Sequence, residues 1–325
     1  MKSAVIVGKE NIIIEDRPIP QINDINNVLI KVLYCGICGS DIPKYFGNRV
    51  KKYPLVLGHE FCGKVIKGPQ NLLNHIVTVK PMIYCNKCDN CKNGDYELCS
   101  DHKYIGSTLD GGMQEYIAVP ENNTLDIDIL KDNPKLGALI EPFSVGIHAI
   151  SLLQNNIDQI NENIKIGIIG NGVIGNMIYN ALRYYINIDR HNLRYITRQE
   201  IPEDNIFDYT FECSGSVGGL NSAIKSTKYK GKIFQVGILY PEIFGKGVDF
   251  EYHNMLRKEQ QIHGVWNSNF GSDWDNALKV INDNREIFEP IITNIYDLKD
   301  VEKAFTSKKN NYVKKIMLKV AQDED

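Results

Sequence analysis

Three things are scarce in this chain of 325 residues, and each scarcity narrows what it does. There is no surplus of charge: 37 Lys and Arg stand against 40 Asp and Glu, for a net charge of −3. Proteins that grip nucleic acid by its phosphates carry a basic field, so no nucleic-acid partner is expected. There is no apolar run approaching the length that crosses a bilayer, so no membrane-spanning helix is expected. Met1 to Glu10 lacks the apolar core of a secretory leader, and the chain reads as cytoplasmic. What remains is an ordinary globular composition, 43% hydrophobic and 24% charged. The length exceeds what one core usually serves, which predicts two domains.

Cysteine is present, and its placement is informative. Four of the eight cysteines fall in the pattern Cys85-x2-Cys88-x2-Cys91-x7-Cys99. The residues around them are Asn, Lys, Asp and Gly, too polar to pack alone. Four thiolates close tetrahedrally around Zn²⁺ and leave no open position, so the lobe 81–103 is expected to be a structural zinc site. Unpaired thiols and an iron–sulfur centre are the competing readings. Disulfides are not expected in a large cytoplasmic chain. Cys35, Cys62 and Cys213 sit in apolar surroundings and read as buried free thiols.

A second set of ligands is scattered. Cys38-Gly39-Ser40-Asp41, Gly58-His59-Glu60 and Glu141-Pro142 supply a thiolate, an imidazole and carboxylates, which suit Zn²⁺. The wide spacing points to loops between strands, and the mixed donors leave room for water or substrate. That is the pattern of a catalytic metal. Alone, Cys38 reads as a buried thiol and His59 as a core histidine. Glu141 reads also as a carboxylate at a helix N-terminus. Short strands are predicted around these residues, at Met1–Glu15, Asn27–Cys35, Phe61–Ile66 and Ile76–Val79, which makes the first domain mostly β. A helix is predicted within Pro134–Leu153.

The second half opens on strand Ile164–Ile169, then Gly170-Asn171-Gly172-Val173-Ile174-Gly175, then an apolar helix from Met177 to Tyr185. Strand, glycine turn and helix in that order form a dinucleotide fingerprint. Gly170, Gly172, Val173, Ile174 and Gly175 are its predicted cofactor residues. The next strand, Leu193–Ile196, runs into Thr197-Arg198 where an acidic residue would bind a ribose diol. A hydroxyl and a guanidinium suit a 2′-phosphate, so NADP(H) is expected over NAD(H), with Glu200 keeping NAD(H) open. Further strands are predicted at Phe207–Cys213, at Lys232–Val236, ended by the cofactor candidate Gly237, and at Ile262–Val265. Helices Trp274–Ile281 and Leu298–Ser307 precede a final strand, Lys315–Val320. The tail Gln322–Asp325 is expected to fray.

In order and motif together, these stretches resemble the zinc-dependent medium-chain dehydrogenase/reductase family. The motifs run GICGSD, GHE, the four-cysteine lobe, EP and GxGxxG. YPLVLGHEF, YIGSTLDGG and LIEPFSVGIHA are most similar to polyol dehydrogenases of the sorbitol and galactitol-1-phosphate type. TFECSGSVGGLNSAI and the short Gln199–Phe207 connection resemble ribulose-5-phosphate reductases. The resemblance implies a two-domain α/β fold: a GroES-like β-barrel catalytic domain (1–142), a trimmed Rossmann domain (143–284) and a C-terminal return (285–325). It implies two zincs per chain, an active site in a cleft, and a homodimer or homotetramer. Cys38, His59, Glu60 and Glu141 would hold the catalytic zinc, and Ser40 would relay the proton. Tyr45 would line a polyol or ketose pocket, or else pack. Arg49, Lys51 and Lys52 would meet a substrate phosphate, or else be solvated. Trp266 and Asn267 would approach the substrate, and His148 would pack within its helix. The other class of function open to these residues is a non-enzymatic zinc and nucleotide-binding regulator.

Overall fold

A computed structural model describes residues 1–22, 27–47, 49–156, 163–239, 251–308 and 314–321. The tail Gln322–Asp325 lies outside the described residues. The chain divides into two compact units, Met1–Glu141 with Phe270–Asp325, and Pro142–Asn269.

Alternating and β-branched runs build the first unit. Its strands are β1 (Lys2–Gly8), β2 (Asn11–Asp16), β3 (Asn27–Gly36), β4 (Leu55–Val56), β5 (Glu60–Lys67), β6 (Ile76–Val79), β7 (Met82–Ile83), β8 (Lys103–Tyr104), β9 (Tyr116–Pro120) and β10 (Thr124–Asp126). Helix α1 (Ile42–Phe46) follows the Cys38 loop, and α2 (Asp89–Asn93) lies in the cysteine lobe. The long strand β3 is the axis of a seven-stranded sheet. It pairs antiparallel with β5 and β9. The apolar side chains of these strands, among them Val28, Ile30, Val32, Phe61 and Val77, form one buried cluster. Burying each is worth about 1.5–3 kcal/mol.

The helix predicted within Pro134–Leu153 begins as a 3₁₀ segment, Pro134–Leu139, and continues as α3 (Ile140–Asn155). Among the described residues, Pro134–Asn155 is the one exception to the expected lack of long apolar segments. By length and composition it would cross a membrane, yet 83% of its most apolar window is buried inside the protein, as in a core helix.

The second unit is a parallel sheet of β11 (Ile166–Ile169), β12 (Leu193–Ile196), β13 (Phe207–Glu212), β14 (Thr227–Gln235) and β15 (Gln261–Gly264), in the order β12-β11-β13-β14-β15. The glycine turn lies between β11 and α4 (Val173–Asn180), and α5 (Val217–Ser226) follows β13. The predicted helix Met177–Tyr185 changes character at Ala181, where a π turn runs to Tyr185. Among the described residues no strand continues the sheet beyond β12, so it is shorter than the six-stranded doubly wound arrangement. The result is a GroES-like domain with a trimmed Rossmann-type sheet.

The chain then re-enters the first unit through α6 (Ser272–Asp283), β16 (Ile292–Asp297), α7 (Val301–Ser307) and β17 (Lys315–Lys319). Strand β17 inserts between β3 and β16, with Met317 opposite Gly36 and Leu318 opposite Cys35. Because β5 places Glu60 opposite Gly36, strand order carries Glu60 toward the start of β17.

Candidate metal centre and dinucleotide turn

The scattered ligands converge. One ligand atom each from Cys38, His59 and Glu60 lies within 4.8 Å of the others. Cys38 caps the short 3₁₀ turn Gly39–Asp41: its Sγ accepts from Ser40 N at 3.5 Å, and Asp41 Oδ2 accepts from Cys38 N at 3.1 Å. Asp41 is fully buried, with Oδ1 3.1 Å from Lys44 Nζ and 3.7 Å from His59 Nδ1. His59 Nδ1 is buried and has no hydrogen-bond partner among the described residues. Glu60 is held by Lys315: the two are 1% exposed and their Oε2 and Nζ form an ion pair. Gly36 makes this reach possible, because a Cβ there would collide with Glu60 Oε2.

The electrostatics ask for a cation. Burial pushes the Cys38 thiol up to about 12, with Glu60 and Asp41 adding to the effect and Lys315 opposing it. Burial likewise pushes Glu141 up to about 8, opposed by His59. A divalent ion reverses this by supplying positive charge to the thiolate and carboxylates. Thiolate, imidazole and carboxylate with an unsatisfied buried nitrogen fit Zn²⁺.

Glu141 stands in the first turn of α3 but does not join the 4.8 Å group; its Oε1 accepts from the Tyr104 hydroxyl at 3.4 Å. Ser40 is half-buried next to Cys38. Of the two readings of Tyr45, pocket wall or packing, the structure takes the second. Tyr45 is 4% exposed in the apolar cluster and packs on Phe46 and Phe305, each with ring centroids 4.7 Å away, so it is a core residue rather than a pocket wall. Sequence reasoning missed the roles of Asp41, Lys44, Tyr104 and Lys315. Asp41 was visible inside CGSD, and Tyr104 opens YIGSTLDGG with its ring edge-on to His59 at 5.7 Å. Nothing local marks Lys315.

The other cysteines form a second group. Ligand atoms of Cys85, Cys88, Cys91 and Cys99 lie within 4.8 Å of one another. Sulfur separations of 3.5 Å (Cys88–Cys91) and 3.9 Å (Cys85–Cys91, Cys88–Cys99) match the edge of about 3.8 Å expected for a tetrahedron with Zn–S of about 2.3 Å. Hydrogen bonds from the backbone of Cys91 and Ser100 pull Cys88 down to about 6. All eight cysteines are free of disulfides. Cys35 and Cys62 are buried as expected, whereas Cys213 is partly exposed.

At the glycine turn each residue type has a physical reason. Gly170 has φ +96°, and a Cβ on it would lie 3.2 Å from Ser214. A Cβ on Gly175 would collide with Gly170 O, so helix and strand meet only without a side chain there. Nothing lies within 4 Å of where a Gly172 Cβ would be, and Gly172 is the N-cap of α4, opened by Val173 and Ile174. That open cradle at a helix N-terminus fits a pyrophosphate. Thr197 follows β12 and donates through N and Oγ1 to Glu200 Oε2 at 2.7 and 2.9 Å, while Arg198 is exposed. Gly237 follows β14 and donates its N–H to Glu212 O at 2.8 Å.

Known proteins share this architecture. Residues 24–129 match the alcohol dehydrogenase GroES-like domain family, and residues 184–283 match the zinc-binding dehydrogenase family. The chain is 26% identical to sorbitol dehydrogenase of Halalkalibacterium halodurans, over 96% of each chain. It is 28% identical to galactitol 1-phosphate 5-dehydrogenase of Escherichia coli K12, over 90% of this chain and 92% of that one. The crystal structure of galactitol-1-phosphate dehydrogenase from Escherichia coli superposes with a TM-score of 0.81 at 25% identity, covering 98% of this chain and all of the other. With two matched domains and the convergent ligand group, the chain belongs to the zinc-dependent medium-chain dehydrogenase/reductase family of oxidoreductases.

Proposed function

We propose that this protein interconverts a polyol phosphate and its ketose phosphate, of the ribitol 5-phosphate or galactitol 1-phosphate class, using NADP(H). The observation that carries the reading is the convergence of Cys38, His59 and Glu60 in a chain that also holds the glycine turn. Similarity to sorbitol and galactitol 1-phosphate dehydrogenases supports a polyol as the substrate class. Membership in a dehydrogenase family sets aside the regulatory reading. Arg49, Lys51 and Lys52 support a phosphorylated substrate: they follow α1 in the unit that carries the ligand group, and both lysines are exposed.

Cys38, His59 and Glu60 would hold a catalytic zinc, with Glu141 or water completing the set, and the four-cysteine lobe would hold a structural one. Bound zinc supplies Lewis acidity toward an alcohol or carbonyl oxygen. Bound nicotinamide supplies or accepts the hydride equivalent. The rest falls to the protein. Asp41 fixes the Cys38 loop through the Cys38 amide and is itself fixed by Lys44. Lys315 orients the Glu60 carboxylate. Ser40 is the hydroxyl assigned to move the substrate proton. Gly170, Gly172 and Gly175 shape the pyrophosphate seat.

Thr197 and Arg198 at the end of β12 support NADP(H). A second reading, NAD(H) with an unphosphorylated polyol, is favoured by one observation: the Glu200 carboxylate sits on Thr197, where a ribose diol would be bound. Turnover of phosphorylated and unphosphorylated polyol and ketose pairs, each with both cofactors, tests the proposal. Faster turnover of a phosphorylated pair with NADP(H) is expected. Preference for NAD(H) and free polyols would select the second reading, and a zinc-loaded protein inactive on every pair would overturn both.

A further inference from the structure

Glu212 is a buried carboxylate that neither the metal centre nor the glycine turn uses. It ends β13, is 0% exposed, and accepts from Ser214 N at 2.9 Å, Gly215 N at 3.1 Å, Gln235 Nε2 at 2.6 Å and the Ser214 hydroxyl. Its backbone carbonyl accepts two more bonds, from Val236 N at 2.9 Å and Gly237 N at 2.8 Å. One residue therefore ties together the loop after β13 and the loop after β14. The surroundings leave no slack. A Cβ on Gly219 would collide with Oε1, and a Cβ on Gly237 would lie 2.7 Å from Oε2. Ser214 passes the network to Ser216 Oγ at 2.8 Å, which caps α5 by accepting from Gly219 N at 2.9 Å. Ser214 also packs against Gly170, the first glycine of the turn.

An ionised carboxylate, acceptor-only with two oxygens, takes all four of these donors at once, and they oppose the rise in its pKa that burial causes. An isosteric amide places an NH₂ against either Ser214 N or Gly215 N, and one of those backbone groups then loses its partner. The sheet order indicates which part of a ligand these loops serve. Doubly wound sheets bind a dinucleotide through two mononucleotide halves, and the strand after the glycine-turn helix holds the adenosine ribose. Here that half is β11 and β12. The loops tied by Glu212 belong to β13 and β14, the other half.

We propose that Glu212 is a positioning residue for the nicotinamide mononucleotide half of the cofactor, acting through the backbone of Ser214, Gly215 and Gly237. The inference rests on the dinucleotide reading above.

The test titrates the zinc-loaded protein with each reduced cofactor and with the matching fragment that lacks nicotinamide: NADPH against 2′-phospho-ADP-ribose, and NADH against ADP-ribose. Wild type is compared with Glu212→Gln and with Gln235→Leu, which keeps the carboxylate but removes its bond to β14. In Glu212→Gln, affinity for the preferred reduced cofactor is expected to fall about tenfold or more, while its fragment stays within about twofold. Gln235→Leu is expected to shift the same way by a smaller factor, with unchanged zinc content. Equal weakening of cofactor and fragment, or unchanged cofactor affinity with a lowered melting temperature, would make Glu212 a structural residue and overturn the inference. Should Glu212→Gln fail to fold, the same two outcomes in Gln235→Leu overturn it. A wild-type protein that binds none of the four ligands would instead overturn the dinucleotide reading.

Discussion

A half-buried thiol beside two carboxylates, its pKa pushed up to about 12, ionises near neutral pH only if a cation joins it. Burial, Glu60 and Asp41 hold Cys38 at about 12, so its role as a ligand depends on a metal. Cys38→Ser is expected to abolish turnover and to lower zinc from about two per chain to about one, since the four-cysteine site is untouched. Full activity with unchanged zinc would remove Cys38 from the centre. Lys315 gives a test that does not depend on turnover. Removing one partner of a buried ion pair costs about 3–5 kcal/mol. Lys315→Met should therefore destabilise the chelator-treated protein by that amount, and the zinc-loaded protein by less, because bound metal then offsets the Glu60 charge. Denaturant melts of both states check this, and equal losses would mean that Glu60 does not face the metal. Away from the centre, the hydrogen bond that His75 Nδ1 donates to Asp126 Oδ2 at 2.8 Å raises His75 above its ordinary value of 6.5. The folded state thus holds the His75 proton more tightly than the unfolded chain does. The pair's contribution is complete below pH 6.5 and is lost as pH rises through the higher folded value. An NMR titration of the ring should give a midpoint above 6.5 that returns toward 6.5 in Asp126→Asn.

At the scale of elements, the glycine turn separates packing from binding. A methyl on Gly175 strikes Gly170 O, so Gly175→Ala forces α4 off β11 and should lower both melting temperature and cofactor affinity. A methyl on Gly172 meets nothing within 4 Å, and φ at that position is −70°, which any residue adopts. Gly172→Ala should therefore melt within about 2 °C of wild type, yet bind cofactor about tenfold more weakly, because the methyl fills the pyrophosphate cradle. Thermal melts and cofactor titrations on the two variants make the comparison. Wild-type affinity in Gly172→Ala would show that the anion does not sit at the N-terminus of α4.

For the whole molecule, what was legible in the sequence is what short range encodes. Alternation from Val28 to Leu33 became β3, and the run Ile164–Ile169 with its glycines became β11, the turn and α4, because period and turn chemistry are local. The Cys38, His59 and Glu60 group was legible through the chemistry of its donors. Lys315 was not, since 255 residues separate it from Glu60 and the two meet only through the order β5-β3-β17. The sequence left Tyr45 between pocket and core, because its nearness to Cys38 says nothing about which face of the five-residue α1 turns inward. That same long-range order yields the last prediction. Strand β17 contributes Ile316, Met317 and Leu318, all 0% exposed, as well as Lys315. Three fully buried side chains are worth on the order of 5–9 kcal/mol, a large share of the roughly 5–15 kcal/mol that holds a domain together. A chain ending at Ser307 also leaves β3 and β16 unpaired on the faces that β17 occupied. It should lose the cooperative melt of the unit built on β3 and the zinc held through Cys38. The five-stranded sheet loses no strand, so cofactor titration should still register binding. A truncated chain with the native melt and full zinc content would show that β17 closes nothing, and that Glu60 keeps its place without the ammonium drawn from the far end of the chain.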